Sequence, residues 1–246
     1  MSSSIKKRLD VVLVERGVFD SRSKAQSAVM AGEVLVDGKI ADKAGISVRE
    51  DCGIEIRRKG MEYVSRGGKK LEGALKTLGI DVSGITALDV GASTGGFTDC
   101  LLTHGAKRVF ALDVGYGLLD EKLRKDSRVT VIERVNIRYV DEDLFDERLD
   151  MAVVDVAFIS LKHVLPVLKK LKVKKVVALV KPQFEAGRAE VKKGGVVRDA
   201  KVQERTVKDI AAFAEELGFE VKGVCESPLK GPKGNREFFL FLIYRN

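Results

Sequence analysis

Thr86-Ala-Leu-Asp-Val-Gly-Ala-Ser-Thr-Gly-Gly-Phe97 is the stretch that decides the fold. Its first five residues form a mostly apolar run typical of a buried strand, and the small residues after it predict a tight turn into a helix. In an open parallel sheet, ligands bind outside the carboxyl ends of the strands. The stretch therefore predicts an α/β domain with a ligand-binding loop at residues 91–96.

Apolar segments alternate with helical patterns on the carboxyl side of this loop. The predicted strands after Ala87–Val90 are Arg108–Val114, Val129–Glu133, Met151–Val156 and Val176–Val180. Such alternation indicates a mostly parallel, doubly wound sheet. Two last strands, Val221–Cys225 and Phe238–Tyr244, are joined without a helix and predict an antiparallel pair at the sheet edge. We therefore expect an α/β fold with seven strands, Rossmann-like and mostly parallel.

A smaller α+β module is predicted ahead of this domain. A short helix from Leu9 to Gly17, a second helix with Ser21 as its N-cap and an Asp37-Gly38 hairpin turn precede a last strand at Gly53–Ile56. This arrangement resembles the S4-type RNA-binding domain, on Leu9-Asp10, Ser21-Arg22, Ala25 and Gly32-Glu-Val-Leu-Val-Asp-Gly38. We expect this domain at residues 1–59, a short linker at 60–64 and the larger domain at 65–246.

Basic residues at the ends of these elements are candidates for phosphate contact. Such contacts give affinity for RNA with little choice of sequence. The candidate RNA-binding residues are Lys6, Arg22, Lys24, Arg58 and Arg66.

The overall charge also favours a polyanionic partner. The 246 residues carry a formal charge of +8 and a pI of about 9.3. Residues 162–193 contain ten Lys or Arg against two Glu, although a solvated helix face would show the same pattern. No apolar run approaches the roughly 20 residues that cross a bilayer, and three separate cysteines suggest neither disulfides nor a zinc site. A soluble cytoplasmic protein without a metal is expected.

The loop at residues 91–96 discriminates between cofactors. A dinucleotide fingerprint would place glycine where this chain has Ser93, and no Gly-Lys-Ser/Thr of a P-loop is present. The pattern Asp-x-Gly-x-Ser-x-Gly resembles the S-adenosylmethionine loop of class I methyltransferases, and Asp113 ends the next strand where a carboxylate can bind ribose hydroxyls. The candidate cofactor-binding residues are Asp89, Gly91, Ala92, Ser93, Thr94, Gly95, Gly96, Phe97, Asp113 and Asp155.

Polar residues at the strand ends indicate which atom receives the methyl group. Asp155 is not followed by the Pro-Pro-aromatic run of a base-nitrogen methyltransferase, and neither Cys100 nor Cys225 lies in the setting of a cytosine-carbon nucleophile. Lys181 follows a strand and could act as base toward a ribose 2'-hydroxyl, provided that neighbouring charge and burial bring a lysine toward neutrality. Lys70 would supply that charge, while Asp155 and Glu237 would orient the amines and the hydroxyl.

Taken together, the motifs resemble the TlyA family, whose members are described both as hemolysin-like and as rRNA (cytidine-2'-O)-methyltransferases with an FtsJ-like catalytic domain. The resemblance covers nearly the whole chain. It rests on Tyr63-Val-Ser-Arg-Gly-Gly-Lys-Lys-Leu71, Asp89–Asp99, Asp155-Val-Ala-Phe-Ile-Ser-Leu161, Val180-Lys-Pro-Gln-Phe-Glu185 and Ser227-Pro-Leu-Lys-Gly-Pro-Lys-Gly-Asn-Arg-Glu-Phe-Phe239.

The resemblance implies a catalytic quartet of Lys70, Asp155, Lys181 and Glu237, with Lys69 open as an alternative to Lys70. It also implies S-adenosylmethionine as donor and a cytidine ribose of large-subunit rRNA, in some members also small-subunit rRNA, as acceptor. Two other functions remain to be weighed. A non-catalytic ribosome-assembly factor is disfavoured by the intact quartet, and a membrane-lytic protein by the lack of a spanning or strongly amphipathic apolar helix.

Overall fold

The computed structural model describes residues 6–56, 63–192 and 194–245. The N-terminal part contains two helices and five short strands. In chain order these are β1 (Lys6–Arg8), α1 (Leu9–Glu15), α2 (Arg22–Met30), β2 (Val34–Val36), β3 (Lys39–Ile40), β4 (Ser47–Arg49) and β5 (Ile54–Ile56). A separate apolar core, including Leu9, Leu13 and Val29, holds the two helices against the strands.

Two local predictions for this module are confirmed. The Ser21 hydroxyl accepts a hydrogen bond from the Lys24 N–H at 3.3 Å and so caps α2. Asp37 and Gly38 both adopt positive φ, as a two-residue hairpin turn requires, and β2 pairs antiparallel with β3.

One pair of strands was not predicted from the sequence. β1 pairs antiparallel with β4 through Lys7 opposite Val48. Each strand has only three residues, too few to reveal a period, and β1 is entirely basic.

The larger part of the chain begins with a helix and continues as alternating strands and helices. Its helices are α3 (Arg66–Leu78), α4 (Gly96–Thr103), α5 (Glu121–Arg124), α6 (Leu165–Lys170), α7 (Pro182–Glu185) and α8 (Ala200–Glu216). Its strands are β6 (Thr86–Val90), β7 (Arg108–Asp113), β8 (Val129–Glu133), β9 (Met151–Val154), β10 (Lys175–Val180), β11 (Phe219–Glu226) and β12 (Phe238–Tyr244).

These strands form one seven-stranded sheet in the order β11-β12-β10-β9-β6-β7-β8. Five strands run parallel, and β12 pairs antiparallel with both β10 and β11. This confirms the predicted fold class, including the antiparallel pair at the edge. The strand order reverses between β6 and β9, so the carboxyl ends of these strands flank the switch point where ligands bind.

The predicted start of α3 at Lys69 was wrong. The helix begins three residues earlier, at Arg66, after Ser65, whose hydroxyl accepts the Gly67 N–H at 3.3 Å. Glycines are poor helix formers, but packing requires one at Gly68, where any side chain would overlap the Tyr63 ring. Tertiary contact therefore overrides propensity, and Lys70 lies in the second turn rather than at the helix start.

Both faces of the sheet are covered by apolar layers. One includes Leu88, Phe110 and Leu240, and the other includes Leu101, Met151 and Phe239. None of the helices in the described ranges has the length and apolar character needed to cross a membrane. The sheet thus forms a packed support for the loops at its carboxyl edge.

Candidate active site

The carboxyl ends of β6, β9 and β10 open onto a cleft of about 520 Å³. Both parts of the chain line it: residues 26, 27, 30, 31 and 42–44 come from the N-terminal module, among them Gln26, Met30 and Lys43, and the remainder comes from the larger domain. All four residues of the predicted quartet lie in this cleft.

Lys70 and Glu237 form one ion pair at the base of the cleft. They are 167 positions apart in sequence, yet the Lys70 Nζ lies 2.7 Å from the Glu237 Oε2. The two side chains are 10% and 0% exposed. Gly231 packs so closely on the Glu237 carboxylate that a Cβ there would overlap it. Lys69, the alternative to Lys70, is exposed and lines a separate groove beside Glu72.

Lys181 and Asp155 form the second ion pair. Each is the first residue after its strand, β10 and β9 respectively, and the Lys181 Nζ lies 2.5 Å from the Asp155 Oδ1. Burial raises the pKa of Asp155, but the charges of Lys181 and Lys70 outweigh burial and hold that pKa below its ordinary value. The influence of Lys70 on Asp155 shows that the two ion pairs belong to one charge cluster.

Asp89 lies at the end of β6, behind the glycine loop, and is completely buried. Its Oδ2 accepts a hydrogen bond from the Thr98 hydroxyl at 2.7 Å, whereas its Oδ1 has no hydrogen-bond partner within the described part of the chain. Burial raises the pKa of this carboxyl to about 7. A buried acceptor without a donor is costly, so the site suits a ligand that brings a cationic or N–H group to this oxygen.

The loop itself is shaped by close backbone contacts. Gly91 has φ +86°, and a Cβ there would lie 2.6 Å from the Asp155 carbonyl oxygen, so only glycine lets the two strand ends approach. Gly95 has φ +96° and precedes α4, while a side chain at Gly96 would overlap the Ser65 hydroxyl. Ala92 and Thr94 also line the cleft.

The aromatic residue that ends the loop motif belongs mainly to the core. Phe97 is 3% exposed and packs against Phe239 with ring centroids 6.0 Å apart. Its edge reaches the cleft, so it is expected to support the loop rather than to cover a ligand.

Asp113, the expected ribose acceptor, already binds two backbone groups. Its Oδ2 accepts the Ser93 N–H at 2.8 Å and its Oδ1 accepts the Gly115 N–H at 2.7 Å. Ser93 has φ +49°, so this carboxylate stabilises an unfavourable loop conformation. Asp113 therefore ties the loop after β6 to the loop after β7, and any ribose contact would use its remaining lone pairs.

The residues predicted to bind RNA do not form one cluster. Lys6 is exposed on β1, Arg22 pairs with buried Asp10 at 3.0 Å, and Lys24 pairs with Asp20 at 3.0 Å. Arg66 lines the cleft and donates to the Lys230 carbonyl oxygen at 3.1 Å. Arg58 lies outside the described residues, as does most of the predicted linker.

Two aromatic residues of the cleft were missed by the sequence analysis as site residues. Phe158 has φ +64°, is 85% exposed and lies near Phe184, with ring centroids 5.1 Å apart. Each follows a quartet residue by three positions, Phe158 after Asp155 and Phe184 after Lys181. That repeated spacing is the signal that could have identified them.

Two amides were missed as well. Gln183 Nε2 donates to the Glu237 Oε1 at 3.4 Å. Asn235 is 3% exposed; its amide donates to the Gly195 carbonyl at 2.9 Å and accepts the Val197 N–H at 3.0 Å. Asn235 thereby fastens the segment around Gly195 to the loop that carries Glu237.

Comparisons with known proteins identify both parts of the chain. A family model described as FtsJ-like methyltransferase matches residues 63–244, and one described as S4 domain matches residues 7–51. The 16S/23S rRNA (cytidine-2'-O)-methyltransferase TlyA of Mycobacterium tuberculosis is 45% identical over 96% of this chain and 89% of its own. Hemolysin A of Brachyspira hyodysenteriae is 43% identical over 96% of this chain and 99% of its own.

A solved structure of a candidate hemolysin from Streptococcus thermophilus gives a TM-score of 0.76 at 42% identity. The match covers 99% of this chain and 90% of that chain. These findings confirm the resemblance stated from the motifs and the expected class of S-adenosylmethionine-dependent methyltransferase.

Proposed function

Because the chain belongs to the FtsJ-like methyltransferase family, and to the TlyA family within it, with an S4 domain ahead of the catalytic domain, we propose that it methylates ribosomal RNA. The acceptor is the 2'-oxygen of a cytidine ribose in the large subunit, and the test below includes the small subunit as a second acceptor. Such a substrate places the activity in the cytoplasm.

The observation that carries the proposal is the charge cluster at the carboxyl edge of the sheet. Lys70–Glu237 and Lys181–Asp155 lie in one cleft directly beside the glycine loop. A ribose hydroxyl is a weak acid, and its methylation requires a group that removes the proton and others that fix the oxygen in line with the methyl group. The Lys181 amine, which Asp155 holds, can remove the proton. The deeper pair of Lys70 and Glu237 can fix the oxygen.

The residues around the glycine loop fit S-adenosylmethionine. The unpaired Asp89 Oδ1 suits the amino group of the donor, and Gly91 to Gly96 let the chain lie close to it. When bound, the donor supplies an electrophilic methyl group on sulfur.

The protein's own residues would then act on the acceptor. Lys181, as its neutral amine, accepts the proton of the 2'-hydroxyl and becomes an ammonium, and Asp155 holds the Lys181 Nζ in place. Lys70 provides positive charge near the developing oxyanion, while the buried Glu237 fixes Lys70. The exposed Phe158 and its neighbour Phe184 offer aromatic faces for the nucleobase at the mouth of the cleft.

The direct test is methyl transfer from radiolabelled S-adenosylmethionine to small and large ribosomal subunits from a strain that lacks this protein. Label should appear on ribose 2'-oxygens, mapped by nuclease digestion, and should identify the subunit. Label on a base would overturn the assigned acceptor. Donor binding without label on either subunit would favour an RNA-binding assembly factor instead.

A further inference from the structure

Two arginine–tyrosine pairs occupy the carboxyl edge of the sheet beyond the catalytic cleft. The Arg134 guanidinium lies 4.1 Å from the centroid of the Tyr116 ring, and that of Arg138 lies 5.6 Å from the centroid of Tyr139. Both tyrosines are unusually exposed, at 64% and 78%. We refer to Tyr116, Arg134, Arg138 and Tyr139 as the Arg–Tyr surface.

The two arginines of this surface form no ion pair with the residues that the structure describes. Neither Arg134 nor Arg138 has a carboxylate within 4.0 Å in the described part of the chain, and the Arg138 Nε contacts only the Asn136 side chain, at 3.3 Å. Other surface arginines do have such partners; Arg128 and Arg205, for example, pair with Asp126 and Glu190. Two unpaired guanidinium groups beside exposed rings can therefore meet a polyanion without first breaking an ion pair.

The surface is held in place by contacts between its two loops. Arg134 has φ +60°, an unfavourable conformation for a residue with a side chain. Its N–H donates to the Gly115 carbonyl at 3.0 Å, and the Gly117 N–H donates to Glu133 at 2.8 Å. These bonds join the loop after β7 to the segment after β8, so the backbone that carries Tyr116 and Arg134 is held in place before any partner arrives.

The Arg–Tyr surface lies next to the glycine loop and next to a cavity that the N-terminal module also lines. The loop that carries Tyr116 begins at Asp113, which binds the glycine loop, and continues to Leu118. Leu118 lines a second cavity, of about 550 Å³, together with Asp20 and Lys24 of the N-terminal module. Four strand spacings separate β8 from β10, or about 19 Å at the usual strand separation. A bound RNA that enters the catalytic cleft could therefore reach this surface a few nucleotides away from the reacting ribose.

We propose that the Arg–Tyr surface binds unpaired nucleotides of the RNA substrate by stacking, outside the catalytic cleft. Arginine planes and tyrosine rings both stack on bases, and the guanidinium groups also contact phosphates. The identification of the partner as RNA rests on the proposed function. The surface adds a second contact that selects RNA with unpaired bases next to the target.

The test measures RNA binding without the methyl donor. A fluorescent 12-nucleotide single strand and a 12-base-pair RNA duplex are titrated by fluorescence anisotropy at several salt concentrations. The variants are Tyr116→Leu with Tyr139→Leu, the corresponding Phe pair, and Arg134→Ala with Arg138→Ala. Arg148→Ala is the matched control, because Arg148 is exposed just before β9, at the opposite edge of the sheet.

The Leu pair should weaken single-strand binding about tenfold or more, since each variant side chain loses the aromatic face on which a base stacks. The Phe pair should bind like the wild type. The Arg pair should lower the slope of log K against log salt by about 1.4, two phosphate contacts at 0.7 each, whereas the Leu pair should leave that slope unchanged. Arg148→Ala should have no effect on either quantity.

Equal losses for single strand and duplex, or unchanged affinity in both the Leu and the Arg pairs, would overturn the proposal. Methyl transfer to ribosomal subunits by the same variants separates this result from the proposed function. A wild-type protein that binds the single strand through this surface but transfers no methyl group would refute the enzyme assignment alone.

Discussion

Lys181 is the residue on which the proposed chemistry depends most. Lys181→Ala should lower single-turnover methyl transfer by a factor on the order of 10²–10⁴, because the proton acceptor is lost. Affinity for S-adenosylmethionine, measured by calorimetry, should change little, since Lys181 lies after β10 and not in the glycine loop. Lys181→Arg keeps the charge but cannot accept a proton. Substantial turnover by the Arg variant would assign Lys181 an electrostatic role instead.

The buried pair of Lys70 and Glu237 should contribute to stability as well as to catalysis. Lys70→Met leaves the Glu237 carboxylate buried without its cation, and loss of one partner of such a pair costs about 3–5 kcal/mol. Glu237→Gln should be destabilising for the converse reason. The double variant should lose less than the sum of both, as measured by urea unfolding, because no unpaired charge remains. Additive losses would show that the pair is not coupled in solution.

Asp89 should make the stability of the free protein depend on pH. Its pKa is raised to about 7 in the folded state, so between pH 4 and pH 7 the folded protein retains a proton that the unfolded chain has released. This carboxyl therefore lowers the free energy of unfolding as pH rises toward 7, by at most about 1.4 kcal/mol per pH unit. Asp89→Asn should remove that slope. The free energy of unfolding of the variant, relative to that of the wild type, should therefore be higher at pH 8 than at pH 5. The exposed Asp143→Asn is the control, and parallel curves for wild type and Asp89→Asn would contradict the assignment.

At the scale of elements, strong patterns were predictable and weak ones were not. β8 and β12 have their predicted bounds because charged residues flank each strand, Arg128 and Arg134 at β8 and Glu237 and Arg245 at β12. β1 and β4 were missed because three residues carry no detectable period, and the start of α3 was misplaced because Gly67 and Gly68 oppose a helix that the Tyr63 contact requires.

For the candidate site, too, some features could be predicted from the sequence and others could not. Asp155 and Lys181 could be placed from sequence because each lies at the carboxyl end of a strong apolar run, although the strand predicted around Asp155 extended two residues too far. The direct contact of Lys70 with Glu237 could not, since it depends on how α3 packs relative to β12. The hydrogen bonds of Asp113 were likewise invisible, because backbone N–H groups leave no mark on the sequence.

Glu185 joins the two loops that carry the catalytic residues. It follows β10 on α7, and its carboxylate accepts the Ser160 hydroxyl at 2.5 Å and the Leu161 N–H at 2.9 Å. Burial raises its pKa despite these two bonds. Glu185 is therefore expected to position the segment from Asp155 to Ser160, including Phe158, rather than to touch the substrate.

Replacing Glu185 should thus impair RNA use more than folding. Glu185→Ala should raise the KM for RNA about tenfold or more and leave S-adenosylmethionine affinity unchanged, because Phe158 loses its fixed place. Glu185→Gln, which retains an acceptor for the Leu161 N–H, should recover part of the loss. A purely structural role would be indicated if both variants lost stability while the folded fraction kept its KM.

For the whole molecule, composition predicted the kind of partner but not where it binds. The lysine-rich stretch at residues 162–193 is divided between both edges of the sheet. Lys170 and Lys172 pair with Asp141 and Glu142 near the amino end of β10, whereas Lys181 lies in the cleft at its carboxyl end. A count of charges along the sequence cannot make this distinction, because one six-residue strand separates the two edges.

The cleft is shared between the two domains, and this sharing gives a prediction for the whole molecule. Lys43 of the N-terminal module lines the same cleft as Lys181, and Arg66 at the start of α3 lies against Gly32 of the module. If RNA is held by both walls at once, Lys43→Ala should weaken binding to ribosomal subunits and lower the salt slope by about 0.7–0.9, one phosphate contact. Affinity for S-adenosylmethionine should stay unchanged.

Lys39→Ala supplies the matched control, since Lys39 is an equally exposed lysine of the same module on β3 and does not line the cleft. Loss of one charge there should leave both the affinity and the salt slope near those of the wild type. Equal effects of the two variants would mean that the module attracts RNA through its net charge alone. A larger effect of Lys43→Ala would instead mean that one RNA contacts the catalytic cleft and the module in a single fixed arrangement. Only in such an arrangement does a lysine that lines the cleft contribute more to binding than an equally exposed lysine elsewhere on the module.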